Sequence, residues 1–198
     1  MAAGAGSRYG TPKQYEPLGG RRVLDWSLAA ARRMSDHVVL VVAPSALDRP
    51  EPDADVVVAG GATRAASVRA GVAALPSETV HVLVHDAARP VARDAGWQRV
   101  VDALRAGADA VVPAVPVTDT LREVDGAAVD RTRLVAVQTP QGFAVDVLRA
   151  AHAGGADATD DASLAEAVGA KVVLVEGDAA NIKITEPWQL AVAEMLIR

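Results

Sequence analysis

The hexapeptide VVLVVA, Val38–Ala43, decides the fold class. It is a continuous run of apolar, mostly β-branched residues, which is typical of a strand buried on both faces of a parallel sheet. A second run of this kind, Asp55–Ala59, follows a proline-rich loop at 44–54. Residues 21–34, which precede the hexapeptide, carry apolar residues at helical spacing and predict an amphipathic helix. Helix, strand, loop and strand in succession indicate an α/β fold.

The same alternation continues to the end of the chain. Further strands are predicted at Val80–Val84, Asp109–Val115, Val135–Gln138 and Lys171–Val175. Helices are predicted at Thr63–Leu75, Asp94–Gly107, Ala144–His152, Asp160–Val168 and Pro187–Ile197, with Asp94 and Thr159 as N-caps. No internal repeat or linker divides the sequence. We therefore expect one domain over residues 1–198 with a mostly parallel sheet.

One polar segment interrupts this pattern. Residues 122–133 contain the turn dipeptide Asp125-Gly126, which favours a β-hairpin. We expect a small arm over about 117–137 that projects from the domain.

Composition excludes several function classes. The net charge of −5 gives no general attraction for nucleic acid. The absence of cysteine excludes disulfides, thiolate catalysis and cysteine metal sites. The apolar run at Val38–Ala43 is too short to span a bilayer, so we expect no membrane segment and a cytoplasmic protein. The histidines show no ligand spacing, which predicts no metal site made by protein alone, and His85 is interpreted as structural.

The N-terminal run AAGAGSRYGTPKQ, residues 2–14, predicts a polyphosphate site. Glycine permits tight turns and close approach to an anion, and successive N–H groups in such a turn form an anion-binding concavity. Arg8 and Lys13 add full positive charges. The run matches neither the dinucleotide fingerprint nor a P-loop.

Two further motifs follow predicted strands. Residues 60–67 (GGATRAAS) join a strand to a helix N-terminus, where backbone donors can meet an anion or a base. A plain turn is an equally good interpretation of this stretch alone. Residues 85–90 (HDAARP) follow the third strand, and ligands of α/β folds bind beyond the carboxyl ends of parallel strands.

Taken together and in order, eight motifs resemble the 2-C-methyl-D-erythritol 4-phosphate cytidylyltransferases of the non-mevalonate isoprenoid pathway. The resemblance runs from end to end of the chain. The motifs are AAGAGSRYGTPKQY at 2–15, GGATRAASV at 60–68, VLVHDAARP at 82–90, PVTDT at 116–120, DR at 130–131, QTPQGF at 138–143, TDDAS at 159–163 and EGDAANIKIT at 176–185.

The resemblance implies a Rossmann-like nucleotidyltransferase fold, three-layer α/β/α, that works as a homodimer. The implied reaction joins CTP and methylerythritol phosphate into the CDP-alcohol and releases pyrophosphate, with Mg²⁺ bound mainly through the CTP phosphates.

The resemblance also assigns site residues. The catalytic set is Arg8, Lys13 and Lys183. The nucleotide-binding set is Ala2, Ala3, Gly4, Gly6, Gly61, Ala62 and Ser67. The substrate-binding set is Asp86, Arg89, Thr120, Arg131, Thr139 and Thr159, of which Thr120 and Arg131 would reach the partner subunit's substrate.

This chemistry agrees with the residues present. The nucleophile, a phosphate oxygen, is ionised at neutral pH, so a general base is not needed, and fixed cations can position two anions and stabilise the transition state.

The sequence departs from the family pattern twice. Family members carry an apolar strand directly before the glycine loop, whereas here that loop starts at residue 2. We expect that Met1 is not the true start, that another segment fills the gap, or that the protein is damaged, and we favour a misassigned start or a fragment. The segment from Thr120 to Arg131 is also several residues shorter than the family's arm, which is expected to weaken the dimer or move Arg131.

Three alternatives remain open on sequence alone. One is a cytidylyltransferase for another polyol phosphate, such as ribitol 5-phosphate. Another is a sugar-phosphate nucleotidyltransferase that uses UTP or GTP. The third is a non-catalytic nucleotide-binding relative with an incomplete site.

Overall fold

A computed structural model describes residues 1–197 as an α/β protein, which confirms the predicted fold class. Its α-helices within this range are α1 (Val23–Met34), α2 (Arg64–Ala73), α3 (Asp94–Arg105), α4 (Val145–Ala153), α5 (Asp161–Ala167) and α6 (Pro187–Leu196). Its strands are β1 (Pro17–Leu18), β2 (Arg21–Arg22), β3 (Val39–Val42), β4 (Val56–Ala59), β5 (His81–Val84), β6 (Ala110–Pro116), β7 (Leu121–Arg122), β8 (Ala128–Val129), β9 (Val135–Val137), β10 (Gln141–Ala144) and β11 (Val172–Glu176).

The main sheet has the order β11-β6-β10-β5, with β9 paired to one end of β6. Strands β3 and β4 form a separate parallel pair. Helices α1 and α3 lie on one side of these strands, and α2, α4 and α5 lie on the other. The apolar core fills both interfaces: Leu24 and Leu28 pack against β3, while Phe143 and Leu148 pack beneath α5. The result is the three-layer α/β/α arrangement.

Strand β10 was not predicted, and it makes the sheet mixed. It runs antiparallel to both β5 and β6, whereas β6 and β11 are parallel. Its sequence contains Gln141 and Gly142, which favour a loop. The structure explains the glycine, because a Cβ at Gly142 would lie 2.5 Å from Cγ1 of Val100 and 2.8 Å from Cδ1 of Leu104. Glycine thus lets α3 pack closely against β10.

Both predicted N-caps are wrong by one residue. Asp94 is the first residue of α3 rather than its cap, and its carboxylate pairs with Arg33 at 2.7 Å. Helix α5 is capped by Asp160, whose Oδ1 accepts a hydrogen bond from the Ser163 amide at 3.1 Å, and not by Thr159. A carboxylate accepts such a bond as well as a hydroxyl does, so sequence alone did not distinguish the neighbours.

The arm is an antiparallel hairpin of β7 and β8. The Gly126 amide closes its turn by donating to the Glu123 carbonyl at 3.2 Å. Leu121 and Val124 are exposed on it, and so is Leu134 just beyond it.

A cavity of about 470 Å³ separates β3 from β5. Its sides are the two strands, and its floor and roof are apolar residues of α1, α2 and α3. At one end Ala2 forms a parallel bridge with Val42, and the Met1 carbonyl accepts from the Ala87 amide at 3.0 Å. Within the described chain, no strand pairs with both β3 and β5. The expectation about an earlier start or a filling segment stays a prediction.

Candidate active site

Three loops meet at one edge of the strands. They are the glycine loop that begins at Ala3, the loop 60–63 after β4, and the segment 85–90 after β5. The Gly60 amide donates to the Val42 carbonyl at 2.7 Å. A Cβ at Gly60 would overlap the Cβ of Ala3 and would lie 2.8 Å from Oγ of Ser67. The two glycine-containing loops therefore touch, with no room for a side chain between them.

The glycine loop is held open by one buried side chain. Nε2 of Gln14 donates to the carbonyls of Ala2 at 2.9 Å and Gly4 at 3.2 Å. Gly6 has φ +72°, in the left-handed region, and a Cβ there would overlap the Thr11 carbonyl. The Gly6 carbonyl in turn accepts from the amides of Tyr9 and Gly10, each at 2.8 Å. Sequence analysis missed Gln14, since its role depends on contacts that no local pattern reveals.

The second loop ends in a well-formed helix start. Thr63 caps α2 by accepting from the Ala66 amide at 3.1 Å. The Ser67 hydroxyl donates to the Thr63 carbonyl at 2.9 Å and accepts from the Gly61 amide at 3.1 Å. Ser67 thus fixes the loop conformation, while Gly61 and Ala62 remain exposed at its tip.

The charged centre of the site is the pair formed by Lys183 and Asp86. Nζ of Lys183 lies 2.8 Å from Oδ2 of Asp86. Burial alone would raise the pKa of Asp86, but the charge and hydrogen bond of Lys183, with the charge of Arg64, outweigh it and lower the pKa to about 2. Asp86 is therefore ionised at neutral pH.

Lys13 belongs to the same electrostatic environment. Its pKa is lowered by partial burial and then by the charges of Lys183 and Arg8, against an opposing effect of Asp86. The charges of Arg8 and Lys183 are thus near enough to Lys13 to affect its protonation. Such a concentration of positive charge suits an anionic ligand that would relieve the repulsion.

A chain of hydrogen bonds fixes the backbone at Asp86. The Asp86 amide donates to Oγ1 of Thr139 at 3.1 Å, and this hydroxyl lies 3.0 Å from Nδ1 of His85. Nε2 of His85 lies 3.3 Å from the Arg89 carbonyl. Burial lowers the pKa of His85 to about 3, so the ring is neutral and its one N–H faces that carbonyl. His85 is structural, and Thr139 positions Asp86.

Arg89 connects this segment to the loop that carries Lys183. Its Nη1 donates to the Asn181 carbonyl at 2.7 Å, and its Nε is 3.9 Å from Oδ2 of Asp86. Asn181 in turn donates from Nδ2 to the Thr139 carbonyl at 2.9 Å. Asn181, which sequence analysis also missed, thus joins the three segments that surround Asp86.

Three predicted substrate residues lie apart from this centre. Thr120 and Arg131 are exposed in the arm, where Nη1 of Arg131 donates to the Thr118 carbonyl. Thr159 is exposed just before α5. No hydrogen bond in residues 1–197 joins them to Asp86 or Lys183.

Over residues 1–197, no group of three His, Asp or Glu side chains is arranged to hold a metal ion. The site carboxylate, Asp86, already pairs with Lys183.

None of the helices in the described residues is long and apolar enough to cross a membrane.

Comparison with known proteins gives a consistent result. The family model "IspD: 2-C-methyl-D-erythritol 4-phosphate cytidylyltransferase" matches residues 1–198. A 2-C-methyl-D-erythritol 4-phosphate cytidylyltransferase of Nocardia farcinica is 46% identical over 212 residues, which cover 99% of this chain and 91% of the relative. One from Prochlorococcus marinus is 44% identical over 216 residues, covering 100% and 96%. The crystal structure of the Thermus thermophilus enzyme of the same name superimposes with a TM-score of 0.88 at 41% identity, covering 98% of this chain and 95% of that one.

Proposed function

The chain belongs to the 2-C-methyl-D-erythritol 4-phosphate cytidylyltransferase family, and from that premise we propose how its residues divide the work of the reaction. It transfers CMP from CTP to 2-C-methyl-D-erythritol 4-phosphate, giving 4-CDP-2-C-methyl-D-erythritol and pyrophosphate in isoprenoid precursor biosynthesis. The observation that carries the division of roles is the placement of the Lys183–Asp86 pair beside the cations of the glycine loop.

The two touching loops form the nucleotide side of the site. Ala3, Gly61 and Ala62 carry no bulky side chain, so a flat base fits against them, while the buried Ala2 anchors the glycine loop to β3. Ser67 acts by holding Gly61, to which its hydroxyl is bonded at 3.1 Å. Gly4 and Gly6 let the loop fold around the triphosphate, whose charge Arg8 and Lys13 offset.

In the reaction, an oxygen of the acceptor phosphate forms a bond to the α-phosphorus of CTP. The bond between that phosphorus and the bridging oxygen breaks, and the electron pair leaves with pyrophosphate. No proton has to move. Arg8, Lys13 and Lys183 stabilise the charge that spreads over the phosphoryl oxygens, an effect that depends on fixed cations in a partly desolvated site.

The acceptor lies on the side of Asp86 and Lys183. Asp86 orients Lys183 through the 2.8 Å contact and offers a carboxylate to hydroxyl groups of the polyol. Thr139 and Arg89 keep Asp86 in place, and Thr159 lies at the rim.

Mg²⁺ fits this division of roles. When bound with the nucleotide, it would supply positive charge, beside that of Arg8 and Lys13, that offsets the charge developing on pyrophosphate. The chain's own contribution is cationic, so the metal would be held mainly through the nucleotide.

The arm favours a homodimer. Its exposed Leu121 and Val124, and the neighbouring Leu134, offer an apolar surface, and Thr120 and Arg131 would reach the partner subunit's acceptor. We also place the protein in the cytoplasm.

Pyrophosphate release from CTP, with Mg²⁺ and methylerythritol phosphate, tests these assignments. We expect activity with this acceptor, at least tenfold less with ribitol 5-phosphate, and loss of activity in Lys13→Ala. CTP binding without turnover in the unmodified chain would contradict the assigned catalytic roles.

A further inference from the structure

A buried carboxylate lies outside the roles assigned above. Asp161 has no exposed surface. Its Oδ2 lies 2.7 Å from Nη2 of Arg64, and its Oδ1 lies 3.0 Å from Nε2 of His152. Burial would raise the pKa of Asp161, but the hydrogen bonds from His152 and Arg64 outweigh it and lower the pKa. The carboxylate is ionised and pairs with side chains from α2 and α4.

The two partners in this ion pair stand at the ends of substrate loops. Arg64 is the first residue of α2, directly after the nucleotide loop 60–63. Asp161 is the first residue of α5, directly after Thr159 and Asp160. The pair therefore joins a nucleotide loop to an acceptor loop that is 97 residues away in the sequence.

Asp161 is also the partner that fixes the guanidinium of Arg64. In the part of the chain that the structure describes, Nη1 of Arg64 is buried and has no hydrogen-bond partner. Among the hydrogen bonds of residues 1–197, the one to Asp161 is the bond that holds this side chain. Without it, the partly buried guanidinium would have to move to find an acceptor or water, since an unpaired charge is costly where it is shielded from solvent. Such a movement would displace the first turn of α2, and with it the loop 60–63.

The acceptor loop is tied to the sheet in a similar way. Oδ2 of Asp160 accepts from Nε2 of Gln141 at 3.3 Å, and Oδ1 caps α5 through the Ser163 amide. The loop thus has one anchor on β10 and one on α2. Losing the second would leave Thr159 free to shift relative to the nucleotide.

We propose that Asp161 is a positioning residue that, through Arg64, couples the nucleotide loop to the acceptor loop, so that binding of CTP improves binding of the acceptor phosphate. The proposal rests on the function proposed above. It requires that CTP orders the nucleotide loop, that the acceptor orders the acceptor loop, and that the Arg64–Asp161 pair makes ordering of one loop favour ordering of the other. Linkage then makes the effect reciprocal.

The chain provides a matched control for the structural role of such a pair. Glu51 also has a side chain with no exposed surface, and its Oε2 lies 2.7 Å from Nη2 of Arg22. That pair joins the start of α1 to the loop after β3 and involves none of the assigned substrate residues. Glu51→Gln therefore reports what the loss of a buried carboxylate costs in folding alone, although Arg22 keeps its bond to Asp25 at 2.6 Å.

The experiment compares Asp161→Asn and Glu51→Gln with the unmodified chain, at a temperature where circular dichroism shows all three folded. Calorimetry measures the affinity for an α,β-methylene analogue of CTP, and the affinity for methylerythritol phosphate with and without that analogue. Steady-state kinetics with CTP gives kcat and both KM values.

For Asp161→Asn we expect the KM for CTP and the KM for the acceptor each to rise about tenfold. We also expect that the CTP analogue no longer improves acceptor binding. For Glu51→Gln we expect a lower Tm but both KM values within twofold of the unmodified chain. A lower Tm in Asp161→Asn with unchanged KM values and unchanged coupling between ligands would overturn the proposal. Failure of the unmodified chain to bind CTP or release pyrophosphate would instead refute the proposed function.

A double-mutant cycle keeps the test decisive if Asp161→Asn folds poorly. Arg64→Gln removes the other partner, so the double variant with Asp161→Asn should be no worse in KM than either single variant. Additive losses in the cycle would show that the two residues act independently and would refute the coupling. Asp161→Glu, which keeps the charge, should recover part of the ligand coupling.

Discussion

Nζ of Lys183 lies 2.8 Å from Oδ2 of Asp86, at the point where the loop before α6 crosses the end of β5. The contact fixes a long, flexible side chain in one direction, so that its charge is in place before substrate arrives. A preorganised cation avoids the cost of reorienting during the reaction.

Replacing Lys183 by Met should reduce kcat on the order of 10²–10³-fold, the usual cost of removing one preorganised charge. Methionine keeps most of the length of the side chain, so packing is preserved. Lys171→Met removes the same charge from an exposed position just before β11 and should leave kcat unchanged. Pyrophosphate release measures both variants, and equal losses would indicate an effect of net charge rather than of the site.

Asp86 should make the stability of the protein depend on pH in the acid range. Its pKa is lowered from 3.8 to about 2 in the folded state, so the stabilisation is complete above about pH 4 and is lost as the pH falls through 2. The shift corresponds to about 2 kcal/mol. Urea unfolding should therefore show a difference in the free energy of unfolding between the unmodified chain and Asp86→Asn. This difference should be constant from pH 7 to 5 and become smaller below pH 4.

Asp119→Asn, an exposed change in the arm, serves as the control for that experiment. Its free energy of unfolding should differ little from that of the unmodified chain at every pH. If the difference for Asp86→Asn stayed constant down to pH 2.5, the Asp86 carboxylate would not be the group that titrates.

Gly60→Ala should separate the two nucleotide loops. The added Cβ would overlap Ala3 and crowd Oγ of Ser67, and both neighbours are held by backbone packing. We expect the KM for CTP to rise at least about tenfold, with a smaller change in the KM for the acceptor, as initial-rate kinetics would reveal. Gly96→Ala is the matched control, because a Cβ there meets no atom within 4 Å.

Gly96 lies inside α3, where alanine is favoured over glycine by about 1 kcal/mol. The control should therefore raise Tm by roughly 2–4 °C and leave both KM values unchanged. A rise in the KM for CTP in both variants would mean that the effect is not local to the loops.

The sequence predicted the fold where the signal is local and repeated. Val38–Ala43 is apolar throughout, so its burial in a sheet followed from composition alone. Gly142 is the opposite case: it weakens a strand by propensity, and the reason for it is a helix about forty residues earlier in the chain that packs against it. Arg8, Lys13 and Lys183 were predicted as catalytic from motif residues, and their assignment stays a prediction. Gln14, Asn181 and Asp161 lie inside the motifs but were given no role, because their hydrogen-bond partners lie outside any local pattern and no periodicity marks them.

The cavity between β3 and β5 leads to the last prediction. One water molecule needs roughly 10–15 Å³ of cavity volume. The cavity between β3 and β5 has about 470 Å³, which is far larger than a packing defect. Strands β3 and β5 face it, and within residues 1–197 no named strand pairs with the edge that each turns to the cavity. Its other walls are mostly apolar, with polar side chains such as Ser27 and Thr79 among them. Since Ala2 already pairs with Val42 in the parallel direction, residues joined to the N-terminus of Met1 would extend into the cavity along β3.

A segment Val-Val-Ala-Val-Val added before Met1 should therefore pair with both β3 and β5 and raise Tm by about 5 °C or more. The reason is that each buried aliphatic side chain contributes about 1.5–3 kcal/mol before the cost of ordering the chain. Gly-Ser-Gly-Ser-Gly of equal length should give no increase. Differential scanning calorimetry compares the two extensions, and amide exchange in β3 and β5 should slow in the apolar one. Equal Tm values for both would show that the cavity does not accept a strand.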